Sequence, residues 1–250
     1  MKQYLNLFIE KILIIINCVL VLSCNKSGSC FKREGIIREE TRLQNSFFQN
    51  IEVENHLNVY IRPHQKQKVI ISAGENLTKL IESQIIKNDW LHLNNKNSCL
   101  WFGKYKATFR CTVNLENLWE MRLKNYGDII MLDTLRTPYF STTSNLSAGT
   151  AHFLVNNDHF LWNQHSGAMN LRAEGRCGHL FLYLKDRGHV YCNQLIARTA
   201  YVFNEGTGPI YLNVTDTLTL LLDGLGDVYY TGNPHINLLS HLGKGKLIKI

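Results

Sequence analysis

Three observations predict an all-β fold, a parallel β-helix with coils of about 20 residues. Glycines recur at Gly127, Gly149, Gly167, Gly188, Gly208, Gly226 and Gly245, at spacings of 22, 18, 21, 20, 18 and 19 residues. Alignment on these glycines puts apolar side chains two and four positions after each one, save Lys249 at the last, with a more polar set between them. No long amphipathic helical pattern occurs anywhere in the 250 residues. Hydrophobic residues make up 45% of the chain, enough to fill a core and too many for a disordered polymer. The net charge of +7, from 27 basic and 20 acidic residues, bears on solubility and on attraction to anionic surfaces rather than on fold.

Residues 1–23 read as an address. Lys2 and Lys11 flank the apolar run ILIIINCVLVL at 12–22. Eleven residues are too few to span a bilayer, which needs about 20 in a helix, but they suit the core of a signal peptide. The run closes in Val21-Leu22-Ser23-Cys24, which resembles a bacterial lipobox: an aliphatic residue, a small residue, then cysteine. The resemblance implies cleavage before Cys24 and lipidation of its sulfur, so that the membrane partner is reached through acyl chains. The expected location is the cell envelope. Residues 24–44 are polar and charge-rich and read as a tether to a folded body spanning 45–250.

Removal of Cys18 with the signal and lipidation of Cys24 leave Cys30, Cys99, Cys111, Cys177 and Cys192. The odd count leaves at least one thiol unpaired. Cys99 and Cys111 flank a polar turn, so a cross-hairpin disulfide and two buried thiols are both open readings. No C-x-x-C and no Cys–His spacing suggests a zinc site, and no metal or cofactor is expected.

From residue 47 the pattern alternates with period two. Ile51, Val53, Leu57, Val59 and Ile61 share one parity. KVIISA at 68–73, WLHLNN at 90–95 and ATFRCTVNL at 107–115 read as further strands, and Leu77–Ile85 as a short helical turn.

The glycine-anchored columns then follow. Two residues after each glycine stand Ile129, Ala151, Met169, Val190, Ile210, Val228 and Leu247. Four after stand Met131, Phe153, Leu171, Cys192, Leu212, Tyr230 and Lys249. These columns point inward, and the residues between them, including His152, Asn170, Tyr191, Tyr211 and Tyr229, point outward. A single repeat cannot bury its apolar side, so stacking must do so. The glycine suits a corner that needs positive φ or close backbone approach. Leucine-rich repeats share the period but not the asparagine and leucine spacing. An antiparallel sandwich is the competing architecture, and columns in register across seven repeats favour the solenoid.

The stretch Asp223 to Pro234, with Gly224, Gly226, Asp227, Tyr229, Tyr230 and Gly232, continues to Gly243-Lys244-Gly245. It resembles the C-terminal signature of the putative auto-transporter adhesin head GIN domain family. Phe47 to Val59, Gly74-Glu75-Asn76-Leu77, Trp90-Leu91 and Asn117-Leu118 match its N-terminal part, so the resemblance covers residues 47–250. It implies a right-handed parallel β-helix, a secreted lipoprotein of the kind found in Bacteroidota, and an adhesive rather than enzymatic role. The usual G-S-G corners have become Tyr126-Gly127, Ala148-Gly149, Ser166-Gly167, Arg187-Gly188, Thr207-Gly208 and Leu225-Gly226, so the middle serine is mostly lost.

Catalytic β-helices cluster carboxylates beside a base on one face. Here Asp128 and Asp227 sit five repeats apart, about 24 Å at a 4.8 Å rung spacing, and read as turn caps. Ten histidines are scattered without H-x-H or H-E-x-x-H spacing. The expected function is therefore a non-catalytic adhesin or binding module. The rivals are a structural envelope lipoprotein and a carbohydrate-active enzyme. The candidate surface is the outward strip of Tyr191, Tyr211 and Tyr229, continued by Asn170 and His152, with a glycan or surface polymer as partner. Export argues against nucleic acid. If Cys24 carries the lipid, Cys24→Ala abolishes labelling by an alkyne fatty acid and releases the protein from membranes. Persistent labelling of the variant would refute the address.

Overall fold

Period-two alternation over short runs makes strands, and a chain with inward apolar columns must stack them to exclude water. The computed structural model describes residues 34–42, 47–87, 89–97 and 109–250. Cys24 and Cys99, and with them the lipid site and half of the suggested disulfide, lie outside the described residues. The strands in chain order are β1 (Ile37–Arg42), β2 (Asn50–Asn55), β3 (Asn58–Arg62), β4 (Lys68–Gly74), β5 (Ile81–Ile86), β6 (Trp90–Asn95), β7 (Arg110–Asn114), β8 (Glu120–Asn125) and β9 (Ile129–Met131). They continue as β10 (Tyr139–Ser144), β11 (Ser147–Gln164), β12 (Gly167–Leu184), β13 (Val190–Asn204), β14 (Ile210–Leu222), β15 (Val228–Thr231), β16 (His235–Ser240) and β17 (Leu247–Lys249). Leu77–Ile85, expected as a helical turn, is a 3-10 turn at Thr78–Leu80 followed by β5.

The strands form a parallel β-solenoid of about six turns with a spacing near 20 residues, as expected. Two ladders run the length of the stack. Face A carries β3, β7 and β9, the first halves of β11 to β14, then β15 and β17. Face B carries β2, β6, β8 and β10, the second halves of β11 to β14, then β16. The order in space is not the order in sequence. The coil of β2 and β3 lies inside the stack, with β6 and β7 on one side and β8 and β9 on the other.

The N-terminal end is closed by antiparallel strands. β5 pairs β6, β4 pairs β7, and β1 pairs β4. β1 lies within the stretch expected to be a tether, so the ordered body begins earlier than 45. The physical reason is the exposed ladder edge, which needs cover. Arg38, Glu40 and Arg42 sit opposite the buried Ala73, Ile71 and Val69, and so point over the end of the core. Arg42 donates to the carbonyls of Ile81 at 2.7 Å and Thr78 at 3.3 Å. Its guanidinium also holds the Glu40 carboxyl below its ordinary range. At the other end Lys249 takes an inward position opposite Tyr230 and donates to Asn233 Oδ1 at 2.6 Å. Inward-pointing charges discourage a further strand from adding at either end.

The inward columns are buried through most of the stack. Ile51, Val53, Leu57, Val59, Ile61, Ile129, Phe153, Leu171, Val190, Ile210 and Leu212 are fully buried. Phe140 and Phe160 stack at 5.6 Å, and Phe153 packs edge-on against them at 5.2 and 6.1 Å. Cys111, Cys177 and Cys192 are buried free thiols, which is the second of the two cysteine readings for Cys111. Burial pushes Cys111 and Cys177 up to about 12, and Cys192 higher still through burial and the neighbouring Cys177.

The glycine alignment slips in one coil. Ala151 pairs with Leu171, not Met169, and Gly149 pairs with Met169, because the structural period there is 20 while the Gly149–Gly167 spacing is 18. The slip is an even number of residues, so every side chain keeps its inward or outward sense. The burial assignment therefore survives an error in register.

Leu212→Asp puts an unpaired charge into this stack. It should cost on the order of 4 kcal/mol and lower Tm by roughly 10 °C. Asn170→Asp keeps an acceptor oxygen at an outward position and should leave Tm nearly unchanged. Equal thermal shifts for the two variants would overturn the inward and outward assignment.

Candidate functional site

The outward side chains of face A form two rows along the stack. The first row starts one residue after the corner glycines. Its acceptor side chains staple successive coils. Asn58 Oδ1 accepts from the Asp128 N–H at 2.9 Å, and Asp128 Oδ1 accepts from the Thr150 N–H at 2.9 Å. Asn170 Oδ1 accepts from the His189 N–H at 2.9 Å, and Asp227 Oδ1 from the Lys246 N–H at 2.8 Å. Pro209, stacked between His189 and Asp227 in this row, has no N–H to satisfy. Asp128 and Asp227, expected as turn caps, instead accept from the backbone of the next coil.

The second row holds the tyrosines. Register runs Tyr60, Ile130, His152, Arg172, Tyr191, Tyr211, Tyr229 and Ile248. The expected strip therefore needs one correction. Arg172, not Asn170, lies between His152 and Tyr191, and Asn170 belongs to the stapling row opposite Thr150. The cause is the register slip described above.

Tyr191 and Tyr211 stack at 5.6 Å with planes 7° apart, and Tyr211 and Tyr229 at 4.8 Å and 11°. Parallel rings this close cannot lie side by side in one plane, because their carbons would collide. They overlap face on face. Tyr211 is thus covered on both faces and presents an edge and a hydroxyl to solvent. The ladder is not a flat platform along its length. Its hydroxyls are partly engaged: Tyr191 with His189 Nδ1 at 3.1 Å, and Tyr229 donating to Asp227 Oδ2 at 3.4 Å. Burial, the Asp227 carboxylate and Tyr211 hold the Tyr229 phenol above its ordinary value.

The ladder ends at Tyr191, and a depression of about 380 Å³ opens there. It is lined by Asp128, Ile130, Thr150, His152, Asn170, Arg172 and Tyr191. His152 Nε2 lies 2.9 Å from Glu174 Oε1, which fixes the imidazole at the rim. Three expected residues, His152, Asn170 and Tyr191, meet in this depression, while Tyr211 and Tyr229 lead away from it. Arg172, Glu174 and Thr150 were not anticipated. Arg172 stands 20 residues after His152 and 19 before Tyr191, whereas the glycine spacing of 18 points to Asn170. The arrangement offers a cation, two hydrogen-bonding amide and carboxylate groups, and one ring face within a single concavity. Such a set orients a polar ligand. Among the described residues no three His, Cys, Asp or Glu side chains gather as metal ligands. No helix of the described residues is long and apolar enough to cross a membrane.

The chain matches the family model of the putative auto-transporter adhesin, head GIN domain, over residues 47–234. Among solved structures it is similar to a putative adhesin from Bacteroides fragilis at 21% identity and a TM-score of 0.77, covering 86% of this chain and 97% of that one. A putative adhesin from Parabacteroides merdae shares the fold at 15% identity and a TM-score of 0.56, covering 87% and 100%. So does a putative lipid binding protein from Parabacteroides distasonis, at 15% identity and a TM-score of 0.55, covering 85% and 97%. No curated protein matches. With its repeat, its stacked coils and a family match over most of its length, the chain belongs to the putative auto-transporter adhesin, head GIN domain family.

Proposed function

We propose that this chain is an exported, lipid-anchored envelope protein that acts as a non-catalytic adhesin, and that the face A depression binds a glycan or other surface polymer. The family supports adhesion at a surface or envelope. The segment ending in Leu22-Ser23-Cys24 supports the anchor. The observation that carries the binding site is the convergence of Arg172, Asn170, Asp128 and His152 around the end of the tyrosine ladder. Asn170 and Asp128 each have one side-chain oxygen committed to the next coil. Their positions are therefore set before any ligand arrives, which lowers the ordering cost of binding. Hydrolysis of a sugar needs two carboxyl groups across one bond. The carboxylates of this face are spread along the stack and serve as staples.

The test uses the detergent-solubilised full-length chain on a glycan and cell-surface polymer array. A double variant, Asn170→Ala with Arg172→Ala, should lose binding about tenfold or more, while loss of the Asn170 staple costs about 1 kcal/mol and lowers Tm by only a few degrees. Tyr211→Ala should do the reverse, lowering Tm with binding per folded molecule intact. Full binding by the folded double variant would remove the depression from the adhesive surface.

A further inference from the structure

Face B carries a second concavity that differs in kind. Beyond β10 its outward side chains form two adjacent rows. One row is His159, His179, Thr199 and Thr217. The other is Leu161, Phe181, Tyr201 and Thr219. Between them runs a groove of about 520 Å³, lined mostly by apolar surface. It follows the stack axis for three rung spacings, about 14 Å. One wall is aliphatic and aromatic, and the other is imidazole and hydroxyl. No ammonium, guanidinium or carboxylate lines it.

The polar wall is oriented by a neighbouring side chain, the exposed Arg198. The Arg198 guanidinium can only donate, so the His179 Nε2 at 3.1 Å accepts from it. His179 Nδ1 then carries the proton and donates to Thr199 Oγ1 at 2.7 Å. His159 stacks on His179 at 4.8 Å. The Thr199 hydroxyl, having accepted that bond, is left as a donor.

The aromatic wall contains a step. Phe181 and Tyr201 stack at 5.6 Å with planes 12° apart. The next position in the same row is Thr219, which has no ring. The face of Tyr201 that a further ring would cover is therefore bare above Thr219, and Tyr201 remains 38% exposed. A ring-sized gap lies one rung beyond an aromatic face, with the hydroxyls of Thr217 and Thr219 beside it.

The geometry points to this groove as a binding site for a linear, neutral oligosaccharide, with one pyranose seated on Tyr201 in place of the missing ring. A pyranose has an apolar C–H face that suits Tyr201 and a hydroxyl rim that suits Thr217, Thr219 and Thr199. The uncharged lining matches an uncharged chain, and the nearest cation, Arg198, is engaged with His179 Nε2. The groove's direction along the stack suits an extended polymer. This site lies on the opposite ladder from the depression on face A and is independent of it.

The test applies linear gluco-, manno- and xylohexaoses to the full-length chain and reads saturation-transfer NMR and calorimetry. At least one hexaose should bind, with transfer to its ring C–H protons. Tyr201→Ala should weaken it about tenfold or more. Thr219→Tyr extends the aromatic ladder into the gap, so it should keep or raise Tm while abolishing binding. Asn170→Ala with Arg172→Ala should leave hexaose binding unchanged, which separates this site from the one on face A. Failure of all three hexaoses to bind overturns the inference, as does undiminished binding by folded Thr219→Tyr. Saturable, Tyr201-dependent binding of a fluorescent fatty acid without any hexaose binding would overturn it in favour of a lipid groove.

Discussion

Close stacking of bare backbone at one corner sets the geometry of this molecule. A Cβ built on Gly208 would lie 2.1 Å from the Gly188 carbonyl oxygen, and one on Gly226 would lie 2.1 Å from that of Gly208. Real Cβ contacts are never so short, so these positions admit glycine because the coils touch there. At Gly149 a φ of +110° adds a second reason. Once the corner is held, the strands leaving it lie at ladder distance, and side chains divide into inward and outward rows without further instruction. The core, the stapling row and the tyrosine ladder all follow from that spacing.

A stack held by repeated parallel pairing has an inherent hazard at its ends, where unpaired strands invite addition. The chain handles its two ends differently. At the N-terminal end it reverses direction, places β4 and β5 antiparallel to the coils, and lays β1 with Arg38, Glu40 and Arg42 over the core. At the C-terminal end the protection is thinner. Lys249 occupies an inward position, and Leu238, also inward by register with Leu220, remains 47% exposed. The outward rows are equally asymmetric. Face B carries ion pairs near the N-terminal end, such as Lys124 with Glu54 at 3.1 Å, and aromatic rows toward the other.

Ladders of like side chains have a consequence for recognition. Stacked rings use their faces on each other, so the middle of a ladder contributes to stability. A ring face reaches solvent where a ladder stops. Tyr191 borders the depression on face A, and Tyr201 borders the groove on face B. Both concavities occur where the repeat breaks, because there a smaller or differently shaped neighbour leaves room. A perfectly regular solenoid would present edges and hydroxyls but no pocket.

The repeat, the all-β class and the inward columns were legible in the sequence because parity is a local property. An alternating pattern separates inside from outside even when the register is wrong by two, as it was between Ala151 and Met169. Burial of Ile210 and Leu212 depended only on that parity, and the stacking of three tyrosines on parity together with the glycine spacings of 20 and 18, which match the register there. The neighbour of Tyr191 was not legible, since choosing between Asn170 and Arg172 requires the true register, and Gly167 stands two residues before the position its spacing suggests. Nor was the order of coils, in which β2 and β3 lie between later strands, because pairing partners far apart in sequence leave no periodic trace. Alternation within single strands settles which side chains face inward and that the chain must stack. The tertiary structure alone decided which outward side chains meet, because contact between rows depends on register and coil order, and neither is encoded in the alternation of a single strand.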